Sequence, residues 1–325
     1  METDQAGIIL KNHGLSNSFL PPRGAIDIVI VNWNAGELIA KCVESLLRSE
    51  HGNILSNIII VDNASTDQSL AMVPKDGKVK WVLNRQNHGF GAACNQGIEL
   101  AKADFVVMVN PDVEVFPETL SQCLAFMHKN PSVDILGGMQ LNEENQIAPS
   151  CSRFPKPFFF LYDALGLSKL LPKVFKPATV MTDFDHKTSR MVDQIMGSFM
   201  FIRRSVFEKI GTFDPRFFVY FEELDLSKRL AESGGRSYYN HEIKLVHHGG
   251  GTTQSVKGFR LYLSLNSRLA YSKKHFSRAG HIFTSMVTNL VEPLTRCAFL
   301  LLKGRIPEIK ETINAYKRLW AKPRN

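Results

Sequence analysis

Short β-branched runs that end on asparagine or aspartate, with helix-like segments between them, restrict this chain to few folds. Ile26-Asp27-Ile28-Val29-Ile30-Val31-Asn32 reads as a buried strand, and Ile58-Ile59-Ile60-Val61 as a second that ends at Asp62. Val79-Lys80-Trp81-Val82-Leu83 and Phe105-Val106-Val107-Met108-Val109 read as a third and a fourth. Glu37 to Leu47 and Gly91 to Ala101 read as helices. Such alternation predicts an α/β fold, with a mostly parallel sheet covered on both faces. Ligands of these sheets bind beyond the carboxyl ends of the strands. Asn32-Trp33-Asn34, Asp62-Asn63 and Asn110-Pro111-Asp112 each stand at such an end.

A second acidic cluster lies far downstream. Tyr220-Phe221-Glu222-Glu223-Leu224-Asp225-Leu226 opens a helix-like run that continues to Arg229 and Leu230. Carboxylates at such positions are costly to bury unless a cation or a proton-transfer task holds them. Two acidic stations divide labour well: one holds a divalent metal on a phosphate, the other deprotonates a hydroxyl. That is the chemistry of sugar transfer from a nucleotide. Plainer readings stay open on local features. Asp62-Asn63 and Pro111-Asp112 suit turns or caps, and Glu222, Glu223 and Asp225 suit the acidic first turn of a helix.

Asn87-His88-Gly89-Phe90-Gly91-Ala92-Ala93-Cys94-Asn95-Gln96-Gly97 follows a strand and opens a helix. Its glycines permit close backbone approach, at a helix N-terminus that favours an anion. Cys94 stands where the dinucleotide fingerprint needs its third glycine, and the run follows the third strand rather than the first. Both points argue against a dinucleotide site. Residues 154–190 carry Pro155, Pro157, Pro172 and Pro177 among aromatic and basic residues, which predicts a long loop or lid. Val192 to Arg203 reads as a further strand region.

The formal charge of +8, from 39 basic and 31 acidic residues, suggests anionic partners: phosphates, nucleic acid or an acidic membrane surface. The five cysteines are scattered and form no CxxC, so they read as reduced packing residues rather than zinc ligands. The N-terminal residues lack a basic region followed by an apolar core, and no apolar run approaches the ~18 residues of a spanning helix. A cytoplasmic protein is expected. Ile282 to Leu302 is apolar but broken by Asn289, Glu292, Pro293 and Arg296. Lys303, Arg305, Lys310, Lys317, Arg318, Lys322 and Arg324 follow, with Ile306, Ile309, Ile313, Tyr316 and Trp320 at helical spacing. A basic amphipathic helix of this kind suits the anionic inner face of a cell membrane. The alternative is a helix that packs on the catalytic domain or on a partner subunit. The expected organisation is a loose lead-in over 1–24, a catalytic domain over 25–255 and a basic helical region over 256–325.

These pieces occur in a recognisable order. They are Ile30-Val31-Asn32-Trp33-Asn34, Val61-Asp62-Asn63-Ala64-Ser65-Thr66-Asp67, the Asn87–Gly97 run and Asn110-Pro111-Asp112. Gly197-Ser198, Gly211-x-Phe213-Asp214, Phe217-Phe218-x-Tyr220-x-Glu222-Glu223-x-Asp225-Leu226 and His247-x-x-Gly250-x-Thr252 come after them. Together they resemble the family 2 glycosyltransferases of the GT-A fold, in the branch of bacterial rhamnosyltransferases. The resemblance implies an inverting transferase that uses Mg²⁺ or Mn²⁺ and a nucleotide-diphosphate sugar, with dTDP-L-rhamnose ahead of a UDP-sugar. It implies a glycan or polyprenyl-diphosphate-linked acceptor. Asp62 would accept the N3–H of a pyrimidine base, an edge shared by uracil and thymine. Asn32 and Asn34 would border the nucleotide, and Asn63, Asn87, Gly91, Asn95, Asn110 and Gly197 would complete the nucleotide-sugar site. Asp112 stands at the metal-binding acidic position, with Asn110 in place of the first acid. His247 or His248 would face the metal. Glu223 falls at the position of the catalytic base beside Glu222, and Asp225 would bind the acceptor or cap the helix. A non-catalytic sugar-nucleotide or glycan-binding module is one rival reading, and intact Asp112 and Glu223 argue against it. Nucleic-acid binding through the +8 charge is a second rival, and it is weakened because the basic residues concentrate in the C-terminal helices with no recognisable nucleic-acid motif.

Overall fold

A computed structural model of the chain describes residues 9–10, 25–49, 53–249 and 257–321. In chain order the first half contains β1 (Ile9–Leu10), β2 (Ile26–Asn32), α1 (Leu38–Arg48), β3 (Leu55–Asp62), α2 (Ser69–Met72), β4 (Val79–Leu83), α3 (Phe90–Leu100), β5 (Phe105–Val109), β6 (Val113–Val115), α4 (Thr119–Lys129) and β7 (Ile135–Leu141). Then come β8 (Ile147–Ala148), β9 (Cys151–Ser152), α5 (Pro157–Ala164), α6 (Leu167–Leu170), β10 (Arg190–Val192), β11 (Gln194–Ile195), β12 (Phe199–Arg203), α7 (Ser205–Ile210), α8 (Glu222–Glu232) and β13 (Ser237–His247). The C-terminal part is helical: α9 (Lys257–His275), α10 (Arg278–Met286), a π-turn over Val287–Val291, α11 (Glu292–Leu302) and α12 (Ile306–Ala321).

The main sheet runs in the order β1-β4-β3-β2-β5-β12-β7-β13-β10. Strands β4, β3, β2 and β5 are mutually parallel, as the alternation of elements predicts. β12 lies antiparallel between β5 and β7, and β7 pairs parallel with β13. Side chains of β2 and β5 alternate between two cores. Ile26, Ile28, Ile30, Phe105, Val107 and Val109 pack on one face with residues of α1 and α4. Val29, Val31, Val106 and Met108 pack on the other with residues of α3 and α8. Gly97 lets α3 sit directly on β2, since a Cβ there would stand 2.4 Å from a methyl of Val29. Four of the five cysteines are buried and all five are free thiols, in line with a packing role.

Three expectations change. The segment over 154–190 is not an open lid. Pro157 starts α5, whose Phe160 is buried with Ala178 and Val287, so the segment is pinned to the C-terminal helices. α12 uses its apolar stripe for packing: Tyr316 and Leu319 are buried against Leu265 of α9. One side of α12 thus follows the packing alternative, while Ile306, Ile313 and Trp320 of the expected stripe stay exposed. Within the expected lead-in, Ile9–Leu10 pairs antiparallel with β4, and the rest of it lies outside the described residues. So do Gly250 and Thr252 of the histidine motif and the basic Lys322 and Arg324. No helix among the described residues is long and apolar enough to cross a membrane.

Candidate active site

The carboxyl ends of β2, β3 and β5 carry one polar floor. Asn32, fully buried, donates through Nδ2 to Asp62 Oδ1 at 2.8 Å and to the hydroxyls of Ser65 and Ser69. Asp62 Oδ2 accepts from the Ser65 backbone N–H at 3.1 Å. The Asp62 carboxylate is thus fixed before any ligand arrives. Asn34 accepts from Thr66 N at 2.7 Å through its side-chain oxygen and donates its own backbone N–H to the Ser65 hydroxyl oxygen at 3.0 Å. Asn34 and Ala64 both sit at positive φ, 53° and 64°, in the loops that leave these strands. Non-glycine residues rarely adopt that conformation, and where they do they often mark a shaped site.

Several residues expected at the nucleotide do another job. Asn63 is spent on the neighbouring loop: it donates to Asn87 Oδ1 and the Gly89 carbonyl, and accepts from Asn84 and the His88 N–H. Asn87 also accepts the Gly89 N–H. Asn95 grips the backbone of Phe213 at both N and O, at 2.9 and 2.8 Å. The N–H of Phe90, first in α3, donates to the Phe218 carbonyl at 2.7 Å. Gly89 has φ 88°, and a Cβ on it would stand 2.3 Å from that same carbonyl oxygen. A Cβ on Gly91 meets Phe213 at 3.2 Å and Glu222 at 3.4 Å, so the helix passes close to both. The Asn87–Gly97 run is therefore a seat for the loop before α8 rather than an anion cradle. Its short polar side chains and glycines suit either task, which is why the sequence alone did not separate them.

Glu222 and Glu223 open α8 after Tyr220 and Phe221, both left-handed at φ 67° and 70°. Glu222 turns into the body of the protein beside Gly91 and is 2 % exposed. Burial, and then the charge of Glu223, push its carboxyl well above the usual range. Glu223 turns to the Gly197-Ser198 turn, with Oε1 at 3.5 Å from where a Gly197 Cβ would be. Burial raises its carboxyl too, opposed by a hydrogen bond from the Gly197 backbone. Each glutamate keeps one buried oxygen, Oε2, with no partner. Asp225 departs from the acceptor-binding expectation. Its carboxylate is fully buried and committed to Lys274 at 2.5 Å, His275 at 2.7 Å and Arg229 at 2.8 Å. Burial pushes its pKa up, but the hydrogen bonds from His275, Lys274 and Arg229, with the charge of Arg229, outweigh it and hold it below the usual range.

Asp112 and His247 converge from two elements. Asp112 ends the turn between β5 and β6, and His247 is the last residue of β13. His247 Nε2 lies 3.3 Å from Asp112 Oδ1, and its Nδ1 lies 2.9 Å from Gln140 Oε1. With the Gln140 oxygen accepting, Nδ1 donates and Nε2 faces the Asp112 carboxylate. An imidazole nitrogen and a carboxylate oxygen thus stand side by side, a donor set that suits a divalent cation. Burial raises the Asp112 carboxyl, but the hydrogen bond and charge of His247 outweigh it and hold the group low. His248 turns elsewhere, to Glu114 at 2.8 Å and Glu143 at 2.9 Å. No cluster of three or more metal-binding side chains occurs among the described residues.

One strap joins the two acidic stations. The Asn110 N–H donates to the Ser198 carbonyl at 2.9 Å, and Gln140 joins the Ser198 hydroxyl at 2.7 Å to His247. Gly197-Ser198 therefore lies between Glu223 and the Asn110-Pro111-Asp112 turn. Gln140 escaped the sequence reading, though a lone amide in the apolar run Ile135–Leu141 was a usable signal. A cavity of about 390 Å³ lined by Asp104, Phe105, His128 and Arg203 opens at the opposite end of β5 and is no part of this site.

The chain is 26% identical over 240 residues to the N-acetylglucosaminyl-diphospho-decaprenol L-rhamnosyltransferase of Mycobacterium tuberculosis, covering 70% of this chain and 77% of that protein. It is 27% identical over 275 residues to the rhamnosyltransferase WbbL of Escherichia coli, covering 79% and 98%. The mannosyltransferase PcManGT of Pyrobaculum calidifontis, solved with GDP-Man and Mn²⁺, shares the fold at a TM-score of 0.56 and 14% identity, over 92% of this chain and 88% of that one. The profile described as Glycosyl transferase family 2 matches residues 27–211, a span that holds every strand end of the polar floor, and the chain belongs to that family of glycosyltransferases.

Proposed function

We propose that the protein transfers L-rhamnose from dTDP-L-rhamnose, with inversion, to a hydroxyl of a glycan or polyprenyl-diphosphate-linked acceptor. The observation that carries this reading is the strap through Gly197-Ser198, with Glu223 on one side and the Asp112–His247 pair on the other. A base for the acceptor and a holder for the diphosphate thus flank one turn. The two curated rhamnosyltransferases support the choice of sugar, and the first of them supports a lipid-linked acceptor.

Asp62, held by Asn32 and Ser65, accepts the N3–H of the base. Asp112 and His247 would hold a divalent cation, Mg²⁺ or Mn²⁺, and an oxygen–nitrogen pair of this kind leaves its other positions to diphosphate oxygens and water. When bound, such a cation supplies positive charge to the leaving diphosphate. Glu223 takes the proton of the acceptor hydroxyl as that oxygen bonds to the anomeric carbon. The bond from that carbon to the diphosphate oxygen breaks, and nucleoside diphosphate leaves. A raised carboxyl pKa makes Glu223 a stronger base near neutral pH.

Thermal stabilisation by a panel of nucleotide sugars, with and without Mn²⁺, tests the reading. dTDP-rhamnose should raise the melting temperature most, and Asp112→Ala should abolish the Mn²⁺-dependent part together with most turnover. Stabilisation by UDP-sugars alone would move the donor to galactofuranose, glucose or N-acetylglucosamine. Full activity of Asp112→Ala in chelator would remove the cation from the reading.

A further inference from the structure

We propose that the outer face of α10, the π-turn and α11, continued by α6, is a docking surface for an anionic lipid bilayer. Ile282, Met286, Leu290 and Leu294 are all exposed and recur every four residues along this continuous helical rod. In a plain α-helix a four-residue ladder drifts around the axis, because a turn takes ~3.6 residues. The wider turn over Val287–Val291 offsets that drift and keeps the ladder on one side. The rod's inner side is anchored. Val287 packs on Phe160 of α5, and Glu292 is buried between Arg268 and Arg296. The outer side therefore cannot rotate inward to bury its leucines.

Further exposed apolar residues lie beyond the ladder. Leu302 is 87 % exposed at the end of α11, and Leu170 is 75 % exposed at the end of α6, followed by exposed Leu171 and Val174. α5 ties the two parts together, with the Phe158 and Phe283 rings 4.9 Å apart. Contiguous exposed apolar surface of this kind marks an interaction site.

The charge around it selects the occupant. Within residues 278–310 the acids are Glu292 and Glu308. Glu292 is the buried ion-pair residue, and Glu308 pairs with Arg305 at 2.6 Å. Arg278 at the start of α10, Lys303 just after α11 and Lys310 in α12 are exposed, and exposed Lys169 and Lys173 flank Leu170 and Leu171 in the chain. Apolar side chains together with exposed cations match a bilayer with anionic headgroups, which takes up both at once. This places attachment on α10 and α11, with α12 as their support.

Sedimentation of the full chain with vesicles tests this without donor or acceptor, so its outcome is separate from that of the transfer reading. The chain should sediment with phosphatidylcholine–phosphatidylglycerol vesicles and much less with phosphatidylcholine alone. Leu290→Glu with Leu294→Glu should lower binding about tenfold or more, since each puts a carboxylate into the interface. Ile313→Glu, on the exposed side of α12, should leave it unchanged. Leu294→Trp should give a blue-shifted emission with the mixed vesicles, quenched by brominated acyl chains, and this readout needs no destabilising charge. A wild-type chain that stays in the supernatant with both vesicle types overturns the proposal. So does an equal loss with Ile313→Glu. A dimer in solution that the Leu290 and Leu294 substitutions dissolve would assign the face to a second copy and overturn it as well.

Discussion

Glu222 and Glu223 are neighbours in the chain, yet the helix turns them to different surroundings. Glu223→Gln keeps shape but cannot take a proton, so we expect donor affinity within a few fold and a kcat loss of roughly 10²–10⁴. Steady-state kinetics with a titrated donor separates the two effects, and retained turnover would remove Glu223 as the base. Glu222 is a buried acid whose pKa is raised by burial and then by its neighbour. The unfolded chain gives up that proton near pH ~4.3, while the folded chain keeps it to higher pH. Folding therefore weakens as pH rises through that window. Glu222→Gln lacks the liability and should melt alongside wild type in acid but above it at neutral pH. Parallel melting curves across the whole range would show that Glu222 is not held protonated. The sequence put both acids at one address; only the side-chain directions, one to Gly91 and one to Gly197, tell them apart.

At the scale of elements, the catalytic helix depends on contacts no local pattern announces. Asp225 binds α8 to α9 through Lys274 and His275, and Ser267 of α9 donates to the Val219 carbonyl before Tyr220. Asp225→Asn leaves the part-buried Lys274 and Arg229 short of their counter-charge and should cost about 3 kcal/mol, measured by urea unfolding. Because its folded pKa is depressed, the Asp225 contribution is present above pH ~3.9 and lost as pH falls further through the folded value. A small loss in the variant would mean that α9 is held by apolar contacts alone. α12 was legible as an amphipathic helix, but its periodicity does not say what covers the apolar stripe. Tyr316 and Leu319 are covered by α9. Ending the chain at residue 304 should therefore cost about 3–6 kcal/mol, from two large buried side chains, in denaturant titration. An unchanged midpoint would make α12 an appendage.

Across the whole molecule, the parts before and after residue 256 share hydrophobic clusters. Phe217 and Leu224 from the catalytic part share a cluster with Tyr271 of α9, and Phe221 packs on both this cluster and the one around Phe160 and Val287. Calorimetry of the full chain should show one cooperative transition with equal calorimetric and van't Hoff enthalpies. Two resolved transitions would restore an independent C-terminal domain.

The sequence by itself determined the parallel strands, because buried β-branched runs between helices admit little else. It determined where the polar floor lies, because Asn32, Asp62 and Asp112 follow those strands or the turn beyond them. It also carried the family, through the order of its motifs. Tertiary structure alone decided which polar groups remain free for a ligand. Asn63, Asn87, Asn95 and Asp225 carry suitable chemistry, but Asn63 and Asp225 are committed to partners from other loops and helices, and the side-chain oxygens of Asn87 and Asn95 already accept hydrogen bonds within the protein. It likewise decided that His247 rather than His248 meets Asp112, since strand pairing turns successive side chains to opposite faces. A sequence fixes what each side chain can donate or accept, and folding decides whether another part of the chain has already claimed it.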